Sequence, residues 1–90
     1  MICVKNLIGT SDNRVPNDYS SWLDYWEKEK NQKANQCSAS DCSQSDNLVG
    51  AHVKKVGSDD NSWYIVPLCQ SCNMSEREFL VNENLLVPVR

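Results

Sequence analysis

The residues in this 90-residue chain with the plainest capacity for chemistry are two close cysteine pairs, Cys37-x4-Cys42 and Cys69-x2-Cys72. Zinc prefers four soft ligands at the corners of a tetrahedron, and two such knuckles brought together supply them. The spacing therefore predicts one structural zinc ion on Cys37, Cys42, Cys69 and Cys72, although an iron centre would use the same ligands. Metal-bound thiols are held deprotonated, so binding and folding become one event. Two other uses of these thiols compete with the metal. A disulfide scaffold needs an oxidising compartment. A redox pair of Cys69 and Cys72 fits the run of a strand into C-x-x-C in "WYIVPLCQSC", but that reading expects βαβ surroundings, and here a hairpin precedes the motif. Cys3, the fifth cysteine, is expected as a small buried hydrophobe on the first strand. The only histidine, His52, stands in the strand-like "VGAHV".

Size and charge limit what these residues can serve. Ninety residues make a single domain, with a core so small that a metal staple is expected. The opening "MICVKNLIG" is too short and too interrupted by Lys5 and Asn6 for a signal-peptide core, and no apolar run reaches membrane-spanning length. A soluble, cytoplasmic protein with reduced thiols is the expectation. The formal net charge is −3; four thiolates and one dication add −2 and take it to −5. That sign opposes non-specific nucleic-acid binding, which is driven by phosphate neutralisation, and leaves a protein partner or a local nucleic-acid contact open.

The elements that must position the cysteines can be read from patterning. Residues 1–9 read as a strand through Ile2, Val4, Leu7 and Ile8, with Gly9 to Asn13 as a turn-rich exit. Pro16-Asn17-Asp18 reads as a helix start capped by Asn17 or Asp18, followed by an apolar stripe of Tyr19, Trp22, Leu23 and Trp26. Asp24 with Lys28, and Glu29 with Lys33, are spaced for ion pairs on its solvated side. The stripe is expected to fill the core, with an exposed partner groove as the competing use. "NQKANQ" is a polar connector. Residues 48–56 and "WYIVP" read as two strands of a hairpin around "GSDDNS", "MSEREFL" as a short helix carrying Phe79 and Leu80, and "LLVPV" as a terminal strand that Pro88 keeps at an edge. The first and last strands are expected to pair. The division is residues 1–36 as N-terminal strand and helix, 37–80 as zinc-binding core, and 81–90 as terminal strand.

Knuckle, hairpin, then a helix whose first turn carries the second cysteine pair is an order that resembles a treble-clef zinc unit. More narrowly, residues 37–79 resemble the four-cysteine form of the HNH (His-Me finger) nucleases. In that family a strand ends in an Asp-His-Ile-like triplet; the next begins with Asn-Leu and runs into Leu-Cys-x-x-Cys, followed by His or Asn and often a Lys three further on. "AHV" stands for the triplet and "VPLCQSCN" is the most specific part of the match. The resemblance implies an α+β, ββα-like fold, with His52 as the general base and Asn73 as a ligand of a second, catalytic divalent metal. Three positions depart from the pattern: Ala51 stands where the other metal ligand belongs, Tyr64 where the asparagine that fixes the base belongs, and Glu76 where the lysine belongs. A hydrated divalent ion wants carboxylates, and Asn73 alone is a poor anchor. Asp59, Asp60 or Glu76 would have to replace the missing ligand, and the two turn aspartates are expected to face solvent.

His52 therefore has three readings: a structural role, donating a hydrogen bond to a carbonyl or a zinc-bound sulfur; general base catalysis; or zinc ligation in place of Cys37 or Cys42. The expectation is a zinc-binding, HNH-like module that binds a partner without cleaving, with the aromatic helix or the hairpin as its contact surface. A metal-dependent endonuclease and a thiol redox protein are the alternatives.

Overall fold

A computed structural model of the chain describes residues 1–7 and 14–89. The expected turn from Gly9 to Asn13, and Ile8 before it, lie outside the described residues. The protein is a small α+β structure. Among the described residues the strands are β1 (Ile2–Asn6), β2 (Leu48–Lys55), β3 (Tyr64–Cys69), β4 (Glu78–Val81) and β5 (Val87–Pro88). They form one antiparallel sheet in the order β4-β1-β2-β3-β5. The described residues also form the helices α1 (Trp22–Lys30) and the single turn α2 (Gln70–Asn73), and a 3-10 turn at Glu83–Leu85. No helix among the described residues is long and apolar enough to cross a membrane.

Alternation divides the sheet into two faces. Val4, Ala51, Val53, Val66, Leu68, Phe79 and Val81 point to an inner face and are buried there with Cys37, Cys69 and Cys72. Ile65 and Val87 point to the outer face, where α1 lays Tyr25 and Trp26 over them. The aromatic stripe thus fills a core, and Tyr25, which the stripe omitted, is among its most buried members.

The sheet is strongly coiled. The amide of Ser38 donates to the Pro67 carbonyl of β3 (2.9 Å), and that of Ser40 donates to the Leu80 carbonyl of β4 (2.8 Å). In a flat sheet these carbonyls would be three strand spacings apart, about 14 Å. They would also be displaced along the strands, because Pro67 is level with Gly50 whereas Leu80 is level with Cys3 and Val56. Two amides at most about 7 Å apart reach both. The loop around Cys37 and Cys42 therefore ties diagonal corners of the sheet together and closes it around the inner face. The Ser40 bond also occupies part of the exposed edge of β4, which would otherwise offer an unpaired group to another chain.

Several local expectations are corrected. α1 starts at Trp22 with Ser21 as its cap, not at Asn17 or Asp18. The Ser21 hydroxyl accepts from the Asp24 amide, and the Asp24 carboxylate accepts from the Ser20 amide, both at 3.0 Å. That reciprocal pair satisfies amides that an earlier start would leave to water. Residues 17 and 18 lie in a turn closed by Tyr19 N–H to the Pro16 carbonyl. The helix ends at Asn31, which takes the left-handed conformation (φ 56°). Lys28 does pair with Asp24, but Lys33 pairs with Glu27 and the Glu29 carboxylate accepts from the Tyr19 hydroxyl.

Phe79 and Leu80 lie in β4, not in a helix. Phe79 and Val81 are opposite Val4 and Ile2, and their burial outweighs the helical preference of "SEREFL". The terminal strands do not pair: β1 is held between β4 and β2, while β5 pairs with β3 at the far edge, where Pro88 needs no ladder donor. Cys3 faces outward beside Leu80 and is only partly buried, its sulfur 3.9 Å from the Glu78 carboxylate.

Candidate metal centre

Three pieces of chain bring the four cysteines together. Cys69 ends β3, and Cys72 follows within the single turn of α2. Cys37 and Cys42 sit on a loop pinned by Cys37 N–H to the Gln44 carbonyl (2.7 Å) and Cys42 N–H to the Ala39 carbonyl (3.0 Å), besides its ties to β3 and β4. The four sulfurs lie within 4.8 Å of one another, and those of Cys42 and Cys69 are 3.8 Å apart. Four sulfurs at bonding distance from one tetrahedral zinc ion stand about 3.8 Å from each other. All five cysteines are free thiols. The set therefore fits one metal ion and needs little movement to close on it. Cys37, Cys69 and Cys72 are buried and Cys42 is half-exposed, so Cys42 is the solvent side of the centre.

The electrostatics follow from burial and from nearby N–H groups. The Cys69 thiol is lowered below the usual range, chiefly by the Cys72 backbone N–H aimed at its sulfur. Burial pushes the Cys37 thiol up, and burial together with the neighbouring sulfurs pushes Cys72 up much further. A cation entering this cluster must displace the protons that burial keeps on the thiols, and in return it finds ligands already assembled. On the outside Arg77 joins Asp41 at 3.0 Å. That bond spans the two cysteine pairs, since Asp41 precedes Cys42 and Arg77 leads into β4. The Asp41 carboxylate, and behind it the Cys72 sulfur, raise the Arg77 pKa, so a fixed positive charge flanks the thiolates.

His52 is not part of this centre. It points to the outer face, level with Ile65, and is 7 % exposed. Its ring meets Trp22 edge-on at 4.7 Å and Trp63 at 6.0 Å. Gly50 makes this packing possible: a Cβ there would stand 2.4 Å from backbone atoms of Trp22 and Leu23. The first turn of α1 therefore rests directly on β2 and sets Trp22 against the residue two places on. Burial pushes the imidazole pKa below its ordinary value, and its Nε2 has no hydrogen-bond partner among the described residues. Of the partners considered for a structural His52, a carbonyl or a zinc-bound sulfur, the sulfurs lie on the other face of the sheet.

The other positions singled out by the resemblance are dispersed. Asn73 ends α2 and is half-buried; Glu76 is exposed. Tyr64 points inward and its hydroxyl donates to Asp60, which also pairs with Lys55 at 3.3 Å. Asp60 is thus not a free solvent-facing carboxylate: the Tyr64 hydroxyl and the Ser62 amide hold its carboxyl far below the usual range. Lys55 also reaches Glu83 at 3.5 Å, so this network braces the hairpin loop against the 3-10 turn.

Asn6 and Arg77 escaped notice in the sequence. Asn6 had a visible signal, a polar side chain two places after Val4 on the buried side of an alternating strand. The chain matches no family model, no curated protein and no solved structure.

Proposed function

We propose that the protein is a zinc-binding module of the HNH-like, treble-clef type that has kept the metal-held frame and binds a partner without cleaving. The observation that carries the metal reading is the approach of four free thiols to within 4.8 Å across two distant stretches of chain. Four thiolates favour zinc over the hard divalent cations. Thiols reserved as ligands suit a reducing compartment, and we place the protein in the cytoplasm. The order of cysteine loop, hairpin and a helical turn bearing Cys72 supports the treble-clef likeness, although β4 follows where that unit would continue its helix.

The surroundings of His52 and Asn73 support the non-catalytic part. A general base must reach a water, and His52 is enclosed by two indoles. A catalytic divalent ion needs oxygen ligands, and Ala51, in the adjoining position, is buried on the opposite face and offers none. With the aromatic stripe of α1 packed, the hairpin is the remaining contact surface. Trp63, where its loop enters β3, is 37 % exposed and suits a protein partner.

The test combines plasmid nicking with magnesium, manganese or nickel and thiol alkylation of the native protein. The module reading expects no nicking and four protected cysteines with Cys3 reactive. Metal-dependent nicking that disappears in His52→Ala would restore the nuclease, and a reducible Cys69–Cys72 bridge in folded, metal-free protein would establish the redox reading.

A further inference from the structure

Asn6 ends β1 with its side chain on the inner face, only 6 % exposed, among apolar residues of the metal-bearing core. Its Nδ2 donates to the carbonyl of Cys72 at 2.8 Å and to the carbonyl of Ser75 at 3.0 Å. Its Oδ1 is buried with no partner among the described residues. Leaving such an oxygen unpaired costs about 1–3 kcal/mol. An apolar side chain of similar size would avoid that cost, so the amide is a poor choice for packing alone. What only the amide supplies is a double donor to the chain that leaves the second cysteine pair. Ser75 N–H already closes onto Cys72 O (3.2 Å). Asn6 takes that carbonyl and the carbonyl of Ser75 itself and ties both to β1.

We infer that Asn6 is a positioning residue of the metal centre: its amide fixes the peptide that carries Cys72 and so sets how tightly the ion is held. This rests on the reading of the four cysteines as a metal centre. The loop of Cys37 and Cys42 is docked on β3 and β4, and Cys69 is part of β3. Cys72 is on neither that docked loop nor a strand, but on a single helical turn whose cap lacks a side-chain bond. Without Asn6 that turn keeps its sulfur within reach of the ion but loses its bearing on β1. Partners of this kind, removed from around metal ligands, cost about 10- to 100-fold in metal affinity.

The deciding comparison is wild type, Asn6→Leu and Asn6→Ser, each loaded with cobalt(II) or zinc and then mixed with a chromophoric chelator. Asn6→Leu keeps the branched shape, though it is bulkier, and removes both donors and the orphan oxygen; Asn6→Ser is the milder change and keeps one hydroxyl donor. The expected order of metal release is wild type slowest, serine intermediate and leucine fastest. Leucine should be at least tenfold faster, with shifted cobalt–thiolate bands, while its far-ultraviolet dichroism in excess metal stays that of wild type. Ile65→Val, a small deletion in the opposite core, serves as control and should release at the wild-type rate. A purely structural asparagine predicts otherwise: unchanged release and bands in Asn6→Leu and Asn6→Ser, with any effect of the lost hydrogen bonds confined to the thermal midpoint. That result would overturn the proposal while leaving the metal centre intact. A wild-type protein that takes up neither cobalt nor zinc would overturn both.

Discussion

The two sides of the sheet are held by different physics. On the outer side α1 buries Tyr25 and Trp26 against Ile65 and Val87, and three of its side chains bond to carbonyls of the C-terminal segment: Tyr25 to Pro88 at 2.7 Å, Trp26 to Leu85 at 2.8 Å and Lys30 to Asn84. That side is an aromatic core of ordinary kind, non-directional in its main attraction and fixed in register by a few hydrogen bonds. The inner side is lined mostly by small residues, Val4, Ala39, Ala51, Val53, Val66 and Val81, with Leu68 as a larger aliphatic side chain and Phe79 as its one buried aromatic ring. Its closure depends on a loop of polar residues that contributes little apolar area. Such a loop stays in place only if something bonds it there, and it carries the sulfurs of Cys37 and Cys42 to those of Cys69 and Cys72. The lesson is that a 90-residue chain need not stabilise both faces alike. One face is packed, and the other is fastened.

Substitutions can break or sharpen that contrast. The largest effect is expected at the fastening. Cys69→Ser removes a ligand at the end of β3, and with metal sites worth about 10–16 kcal/mol against a typical total stability of about 5–15 kcal/mol, general unfolding should follow. The readout is loss of the cooperative thermal transition and of dispersed amide resonances; an unchanged transition would mean that the inner face packs without its ion.

Next is Gly50→Ala. The added methyl meets backbone rather than a yielding side chain, so α1 must lift from β2, at a cost of about 1–3 kcal/mol. Chemical denaturation of the metal-loaded protein checks this, and the four thiols should remain protected because the damage is confined to the outer face.

A smaller effect is expected from His52. Its native pKa lies below the ordinary value of 6.5, so the unfolded chain binds the extra proton first. The stability it contributes is complete above about pH 6.5 and is lost as pH falls from there towards the lowered native value. Acid also protonates the thiolates, so the informative quantity is the difference between wild type and His52→Phe. That difference should move against wild type between pH 7.5 and 5.5, and a difference independent of pH would mean the ring is not held neutral.

Smallest is Asp41→Asn, which loosens an exposed pair with Arg77. Solvent screens such an exposed pair, so the denaturation midpoint should hardly change. Alkylation of Cys42, the half-exposed ligand, should quicken modestly if the bond helps to cover it.

What could be read ahead of the structure was what local spacing encodes. The two cysteine pairs meet as their spacing implied, and β2 and β3 flank the turn that "GSDDNS" announced. Features decided by distant partners could not be read in the same way. "SEREFL" has the makings of a helix, and only the row of Ile2 and Val4 alongside turns Phe79 and Val81 into strand residues. Nothing local to residues 85–89 tells them to join β3 rather than β1. Likewise the closing of diagonal sheet corners by Ser38 and Ser40 depends on backbone amides, which leave no mark in side-chain patterning. His52 shows the opposite hazard: a chemically suggestive side chain, in a motif-like setting, is placed in an aromatic core by a glycine two residues earlier.

The most direct measurement is native mass spectrometry of the purified protein, paired with circular dichroism before and after exhaustive chelation. A fastened inner face predicts one zinc ion per chain and collapse of the dichroism spectrum when the ion leaves, with recovery on adding zinc back. A chain that flies metal-free and keeps its folded spectrum would contradict it.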